Sequence, residues 1–195
     1  LHQRGIGRGH RVALLLEKGW RQVVAVLGVQ RCGAVYIPLD VANPRKMTEA
    51  LINDCCPAIV LSEDHVLAQM HGTLSHCLSI DSQEVRAAAA QAPRVPRNVD
   101  DPAYMIYTSG TTGVPKAVVV SQHNLASLVA MTNRHFDVTS QDRLLALTAF
   151  HHDLSVFDIF AVLSAGACLV IPNAVSYKDP SHWLDLMRQE SVSLW

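Results

Sequence analysis

The chain has 195 residues, of which 49% are hydrophobic and 17% charged, the balance of a packed interior rather than of a disordered tail. One domain of this length buries roughly 70% of its unfolded surface, and two full domains are not expected. With 16 Lys and Arg against 17 Asp and Glu the formal net charge is -1, which gathers neither nucleic acid nor an anionic membrane, so neither partner is expected.

Residues 11–16, RVALLL, read as a buried strand, and residues 20–32 as a mostly apolar helix ending at Gly33. Residues 34–39, AVYIPL, form the next predicted strand, and Pro44 opens a helix to Asp54 by sitting in its first turn. A short strand at 58–61, a helix at 63–70 and a strand at 77–80 follow. Residues 87–102 hold five alanines and three prolines and read as a helix end and an extended connector. Beyond residue 120 the pattern predicts a helix over 121–134 capped by Ser121 or Asn124, a strand at 144–148, a helix at 155–165, a strand at 167–171 and a helix at 181–190. The alternation of strand and helix predicts an α/β fold with a layered parallel-sheet core.

Gly5, Gly7 and Gly9 in GIGRG precede the first strand instead of following one, so they read as a flexible turn and not as a dinucleotide fingerprint. Five cysteines, Cys32, Cys55, Cys56, Cys77 and Cys168, include no C-x-x-C pair and no histidine at zinc-finger spacing, which predicts reduced thiols in a cytoplasmic protein. The opening LHQRGIGRGHR lacks the layout of a signal peptide, and no apolar run is long enough to span a bilayer. The chain starts without methionine and stops at Ser193-Leu194-Trp195, where a new apolar strand starts, so an internal segment of a longer protein is expected.

The most informative stretch is YMIYTSGTTGVPKAVVV, from Tyr104 to Val120. Two β-branched or aromatic runs enclose a cluster of hydroxyl and glycine residues that suits a polyphosphate. Thr108, Ser109, Thr111 and Thr112 supply hydroxyl donors, while Gly110 and Gly113 let consecutive backbone N–H groups face one anion. Pro115 stiffens the loop before Lys116, which adds a positive charge. The spacing is not that of a Walker loop, because only two residues separate Gly110 from Gly113. A Ser/Thr/Gly turn joining two strands is the bland alternative.

YTSGTTGVPK resembles the phosphate-binding loop of the adenylate-forming superfamily, with Ala117 standing where that family has glycine. The resemblance implies that Thr108, Ser109, Gly110, Thr111, Thr112, Gly113 and Lys116 hold the phosphates of ATP, with Lys116 in the catalytic machinery. RCGAVYIPLD, residues 31–40, resembles the peptide-synthetase subgroup and is assigned a scaffold role. A family arginine expected after Pro44 is replaced by Met47 and Thr48.

Phe150 to Phe160, FHHDLSVFDIF, joins a predicted strand end to a helix start. Asp153 there is either a helix cap, with Val156, Phe157, Ile159 and Phe160 as the buried stripe, or a site residue beyond the carboxyl end of a strand. His151 and His152 lack a third ligand at suitable spacing, so no metal site is expected. HHDLSVFDIF is similar to the motif of nonribosomal peptide synthetase adenylation domains in which the aspartate at this position pairs with the substrate ammonium. A carboxylate facing an ammonium rejects acids that lack the amine, because its charge would be left unpaired. The same resemblance puts Leu154 and Phe157 in the side-chain pocket, and the order Asp, Leu, Phe resembles cysteine-activating domains.

The resemblance therefore implies that residues 1–195 are an incomplete N-terminal subdomain of an adenylation domain, with the catalytic-lysine subdomain outside it. The implied reaction is attack of an amino-acid carboxylate on ATP with Mg²⁺, giving aminoacyl-AMP and pyrophosphate. The acyl group then passes to the phosphopantetheine thiol of a peptidyl carrier domain among neighbouring synthetase modules. The chain alone is expected to be inactive. An acyl- or aryl-acid:CoA ligase of the same superfamily and a non-catalytic nucleotide-binding module are the alternatives.

Overall fold

The computed structural model describes residues 1–70, 74, 76–88, 95–108 and 115–195. They form two compact units, one made of Leu1–Glu17 and Arg21–Gln122, the other of Lys18–Trp20 and His123–Trp195.

In the first unit the chain runs through β1 (Arg11–Leu15), α1 (Trp20–Arg31, of which Trp20 belongs to the second unit), β2 (Val35–Leu39), α2 (Arg45–Cys55), β3 (Ile59–Ser62), α3 (Asp64–Gln69), β4 (Cys77–Ser79), α4 (Gln83–Ala87), β5 (Pro102–Thr108) and β6 (Lys116–Ser121). The strands lie in the order β4-β3-β1-β2-β5-β6. The first five run parallel to their neighbours, as the sequence predicts. β1 and β2 occupy the middle, which is why RVALL and VYIPL are near-continuous apolar runs: both faces of these strands are covered. Ala13, Leu15, Ile37, Leu39 and Val60 pack with Leu51 and Cys55 of α2, Val66 of α3, and Met70 into one core, against which Met105 and Tyr107 of β5 rest.

β6 departs from the parallel expectation, because it pairs antiparallel to β5. The connection from Thr108 to Lys116 is too short for the dozen or more residues that a parallel crossover requires. β6 is also the sheet edge, and Val118 and Val119 are 47% and 52% exposed there.

α1 ends near Gly33, as predicted, with a φ of 73° that favours glycine. A Cβ there would also meet Val95 Cγ1 at 2.9 Å. Two buried glutamines in α1 are polar exceptions to its apolar face. Gln22 donates to the Leu16 carbonyl at 2.7 Å, and Gln30 donates to the Ala103 carbonyl of β5 at 2.5 Å while accepting from Gln122 at 2.9 Å. Pro44 stands just before α2 as its cap residue and not within its first turn. The turn with Gly5 and Gly9 at positive φ precedes β1, in keeping with its reading as a simple turn.

The second unit contains α5 (Gln122–His135, of which Gln122 belongs to the first unit), β7 (Arg143–Leu145), a π-helical turn (Phe157–Ala161), α6 (Val162–Ser164), β8 (Cys168–Val170) and α7 (Pro180–Gln189). β7 and β8 pair in parallel as a separate sheet, and Leu194 bridges Leu144, so the apolar run at the end of the sequence does adopt strand pairing. Leu144, Val162 and Ala167 form the core, with Phe157, Leu169 and Leu194 packed on it. The helix predicted over 155–165 is helical but widened in its middle by the π turn. α7 starts where Asp179 accepts from the Ser181 N–H at 2.9 Å and Pro180 occupies the first turn.

Candidate functional site

In the first unit, the predicted phosphate loop leaves β5 at Thr108 and enters β6 at Lys116, and the antiparallel register sets these two residues directly opposite one another. Both are exposed, and the Thr108 hydroxyl donates to the Lys116 carbonyl at 3.4 Å. Lys116 makes no ion pair among the described residues. Ser109, Gly110, Thr111, Thr112 and Gly113 lie outside the described residues. The root of the loop is anchored by Tyr107, whose hydroxyl donates to the Asp54 carboxylate at 2.5 Å and approaches the Leu51 carbonyl at 3.4 Å. Burial, then the bond to Asp54, raises the Tyr107 phenol above its ordinary range.

In the second unit, Asp153, Leu154 and Phe157 share one turn leading into the π-helical segment. Asp153 is exposed, and one of its carboxylate oxygens accepts the Leu154 N–H at 2.9 Å. Its second oxygen has no partner among the described residues. The Asp153 carbonyl accepts from Val156 at 3.0 Å, and the Leu154 carbonyl from Phe157 at 3.1 Å. Asp153 thus lies at the helix start, where a cap would be, while its side chain meets only the next residue. Leu154 is 68% exposed. Phe157 is half-buried, packed on the core and 5.8 Å from the Phe136 ring with the two rings steeply inclined.

Buried polar groups hold this turn from beneath. The Ser155 hydroxyl donates to the Phe150 carbonyl at 2.9 Å and to the His152 carbonyl at 2.6 Å. Asp158, which the sequence reading does not single out, is 8% exposed. Lys18 donates to the Thr148 carbonyl at 2.7 Å, and the Thr148 side chain favours the charged form of Asp158. Burial pushes the Asp158 carboxyl up to about 6, while Lys18 and the Thr148 bond hold it down. The Lys18 ammonium is lowered by the same burial and raised by Asp158. A polar residue inside an apolar stripe was the available signal for Asp158. Nothing in the sequence pairs it with a lysine 140 positions earlier.

Glu17, Glu63 and His65 bring ligand atoms within 4.8 Å of one another in the first unit. There Arg21 approaches Glu63 at 3.9 Å and Asp81 at 3.3 Å, and the Glu17 N–H donates to Glu63 at 2.9 Å, so the acidic group already has cationic and N–H partners. No helix among the described residues is long and apolar enough to cross a membrane.

The pattern defining AMP-binding enzymes matches residues 1–195. Pyochelin synthetase PchF of Pseudomonas aeruginosa is 36% identical over 196 residues, a match that covers 100% of this chain and 11% of PchF. The nonribosomal peptide synthetase FmoA3, in its crystal structure with α-methyl-L-serine-AMP bound, superposes with a TM-score of 0.92 at 37% identity, over 100% of this chain and 22% of FmoA3. AB3403, a four-domain nonribosomal peptide synthetase bound to AMP and glycine, superposes with a TM-score of 0.83 at 26% identity, over 98% of this chain and 14% of that one. The chain thus spans only a small part of these three proteins. On these similarities and the shared α/β architecture, the chain belongs to the AMP-binding enzyme family, in its nonribosomal peptide synthetase branch.

Proposed function

We infer that residues 1–195 form part of the N-terminal subdomain of an adenylation domain that activates an amino acid as aminoacyl-AMP. The observation that carries this reading is Asp153. It stands exposed at the head of a turn, with one oxygen satisfied by the Leu154 N–H and the other open to a cation. A substrate ammonium meets that need, whereas an acid without the amine leaves the carboxylate unpaired. FmoA3 and AB3403 are described with an amino-acid adenylate and with glycine plus AMP, which supports an amino acid over a simple acyl group. Leu154 and Phe157 line the side-chain pocket in this reading, and the order Asp153, Leu154, Phe157 favours cysteine.

Thr108, Ser109, Gly110, Thr111, Thr112, Gly113 and Lys116 hold the phosphates of ATP. Lys116, exposed and without an ion pair among the described residues, is free to meet the pyrophosphate as it departs. Mg²⁺ bound with ATP would supply further charge neutralisation. Catalysis by these groups is positioning and electrostatic stabilisation, since the amino-acid carboxylate itself is the nucleophile. The acyl group then passes to the phosphopantetheine thiol of a peptidyl carrier domain.

ATP–pyrophosphate exchange on the whole protein, across a panel containing cysteine, serine and salicylate, tests the reading. Exchange with cysteine that is lost in Asp153→Ala is the expected result. Exchange only with a non-amino acid would overturn the role of Asp153 and favour an acyl- or aryl-acid ligase.

A further inference from the structure

Two features of the second unit adjoin the turn that begins at Asp153, and the proposed function accounts for neither. One is the π-helical turn Phe157–Ala161, a geometry rare in helices and frequent next to sites. The other is the set formed by buried Asp158 with half-buried Lys18 and Thr148. Among the described residues of the second unit, Asp158 is the one buried carboxylate. Burying a carboxylate carries a desolvation penalty that an apolar residue of similar volume avoids, so stability alone is a poor reason for it.

The connectivity supplies a better one. Thr148 takes Lys18 on its carbonyl at 2.7 Å, and its side chain and Lys18 both favour the charged form of Asp158. Asp158 directly follows Phe157, and its own N–H lies 3.5 Å from the Leu154 carbonyl. Two residues beyond Thr148, Phe150 accepts from the Ser155 hydroxyl at 2.9 Å. The segment after β7 and the turn carrying Asp153, Leu154 and Phe157 are therefore tied at both ends. Asn133 holds the far side by donating to the Ala161 carbonyl at 2.8 Å.

We propose that Lys18 and Asp158, joined through Thr148, are positioning residues that hold the turn from Asp153 to Phe157 in the conformation that selects the amino acid. They act through the turn and not on the substrate. The proposal rests on the reading of Asp153 as the partner of the substrate ammonium.

The test is pyrophosphate exchange by the whole protein with Lys18→Met, Asp158→Asn and the double variant, and with Asp153→Ala in parallel. Each single variant raises the amino-acid KM roughly tenfold, with the ATP KM held within about twofold, and the double variant is no worse than the more damaged single one. An amino-acid KM within about twofold of the parent, or an ATP KM that rises as far as the amino-acid KM, overturns the proposal. If a single variant does not fold, the double variant, which leaves no unpaired charge, is read by the same criterion. Failure of all three to fold makes the pair a folding element and also overturns it. An effective Asp153→Ala beside inert Lys18 and Asp158 variants sinks this inference alone, while an inert Asp153→Ala sinks the underlying reading.

Discussion

Tyr107 donates its hydroxyl to Asp54 at 2.5 Å, tying the last turn of α2 to β5 one residue before the predicted phosphate loop begins. This single bond couples the root of the loop to the helix layer that covers the sheet. Tyr107→Phe is expected to lower stability by about 1 kcal/mol. Because both residues share the one bond, the double variant Tyr107→Phe/Asp54→Ala should lose no more than the larger single loss. Urea unfolding of the four proteins checks this, and additive losses would show that the two side chains act separately.

Lys116 stands opposite Thr108 at the mouth of the same loop. If it meets the departing pyrophosphate, Lys116→Ala lowers kcat in pyrophosphate exchange by about a hundredfold while the amino-acid KM stays put. A loss confined to the amino-acid KM would remove Lys116 from phosphate binding.

Asp158 makes stability depend on pH in a defined direction. Its folded carboxyl, at about 6, lies above the ordinary 3.8 because burial disfavours the charged form, with Lys18 and Thr148 the groups that restrain the rise. Between these two values the folded chain binds more protons than the unfolded one, so this group's contribution is fullest below 3.8 and is lost as pH rises through about 6. The stability of the parent relative to Asp158→Asn should therefore fall between about pH 4 and about pH 7. Lys18→Met removes a restraint and should carry the upper end of that window to higher pH. Unfolding midpoints measured across the range decide it, and a difference independent of pH would contradict the assignment.

Gln30 satisfies buried groups on two sides, donating to Ala103 and accepting from Gln122. Gln30→Leu leaves the Ala103 carbonyl without that donor, at a cost of about 1–3 kcal/mol. Amide hydrogen exchange should report faster opening in peptides from α1 and β5, with β3 and β4 little changed. Uniform protection throughout would show that the contact is dispensable.

Much of this protein is written locally. The buried runs RVALLL and AVYIPL, the glycine after α1 and the strand–helix alternation determine the parallel sheet, because strands covered on both faces must be apolar throughout. The run YTSGTTGVPK and the aspartate in HHDLSVFDIF are chemical signals that survive without coordinates, since their meaning lies in residue type and spacing. Tertiary structure decided what depends on partners far along the chain. The reversal of β6 follows from a connection too short to cross over, and the buried role of Gln30 from Ala103 arriving beside it. The largest step lies between Lys18 and Asp158. Read singly, one is a loop lysine and the other a helix aspartate. Only folding brings both to the same threonine, with the aspartate buried and the lysine half-buried, and the loss of water there is what shifts the titration of each.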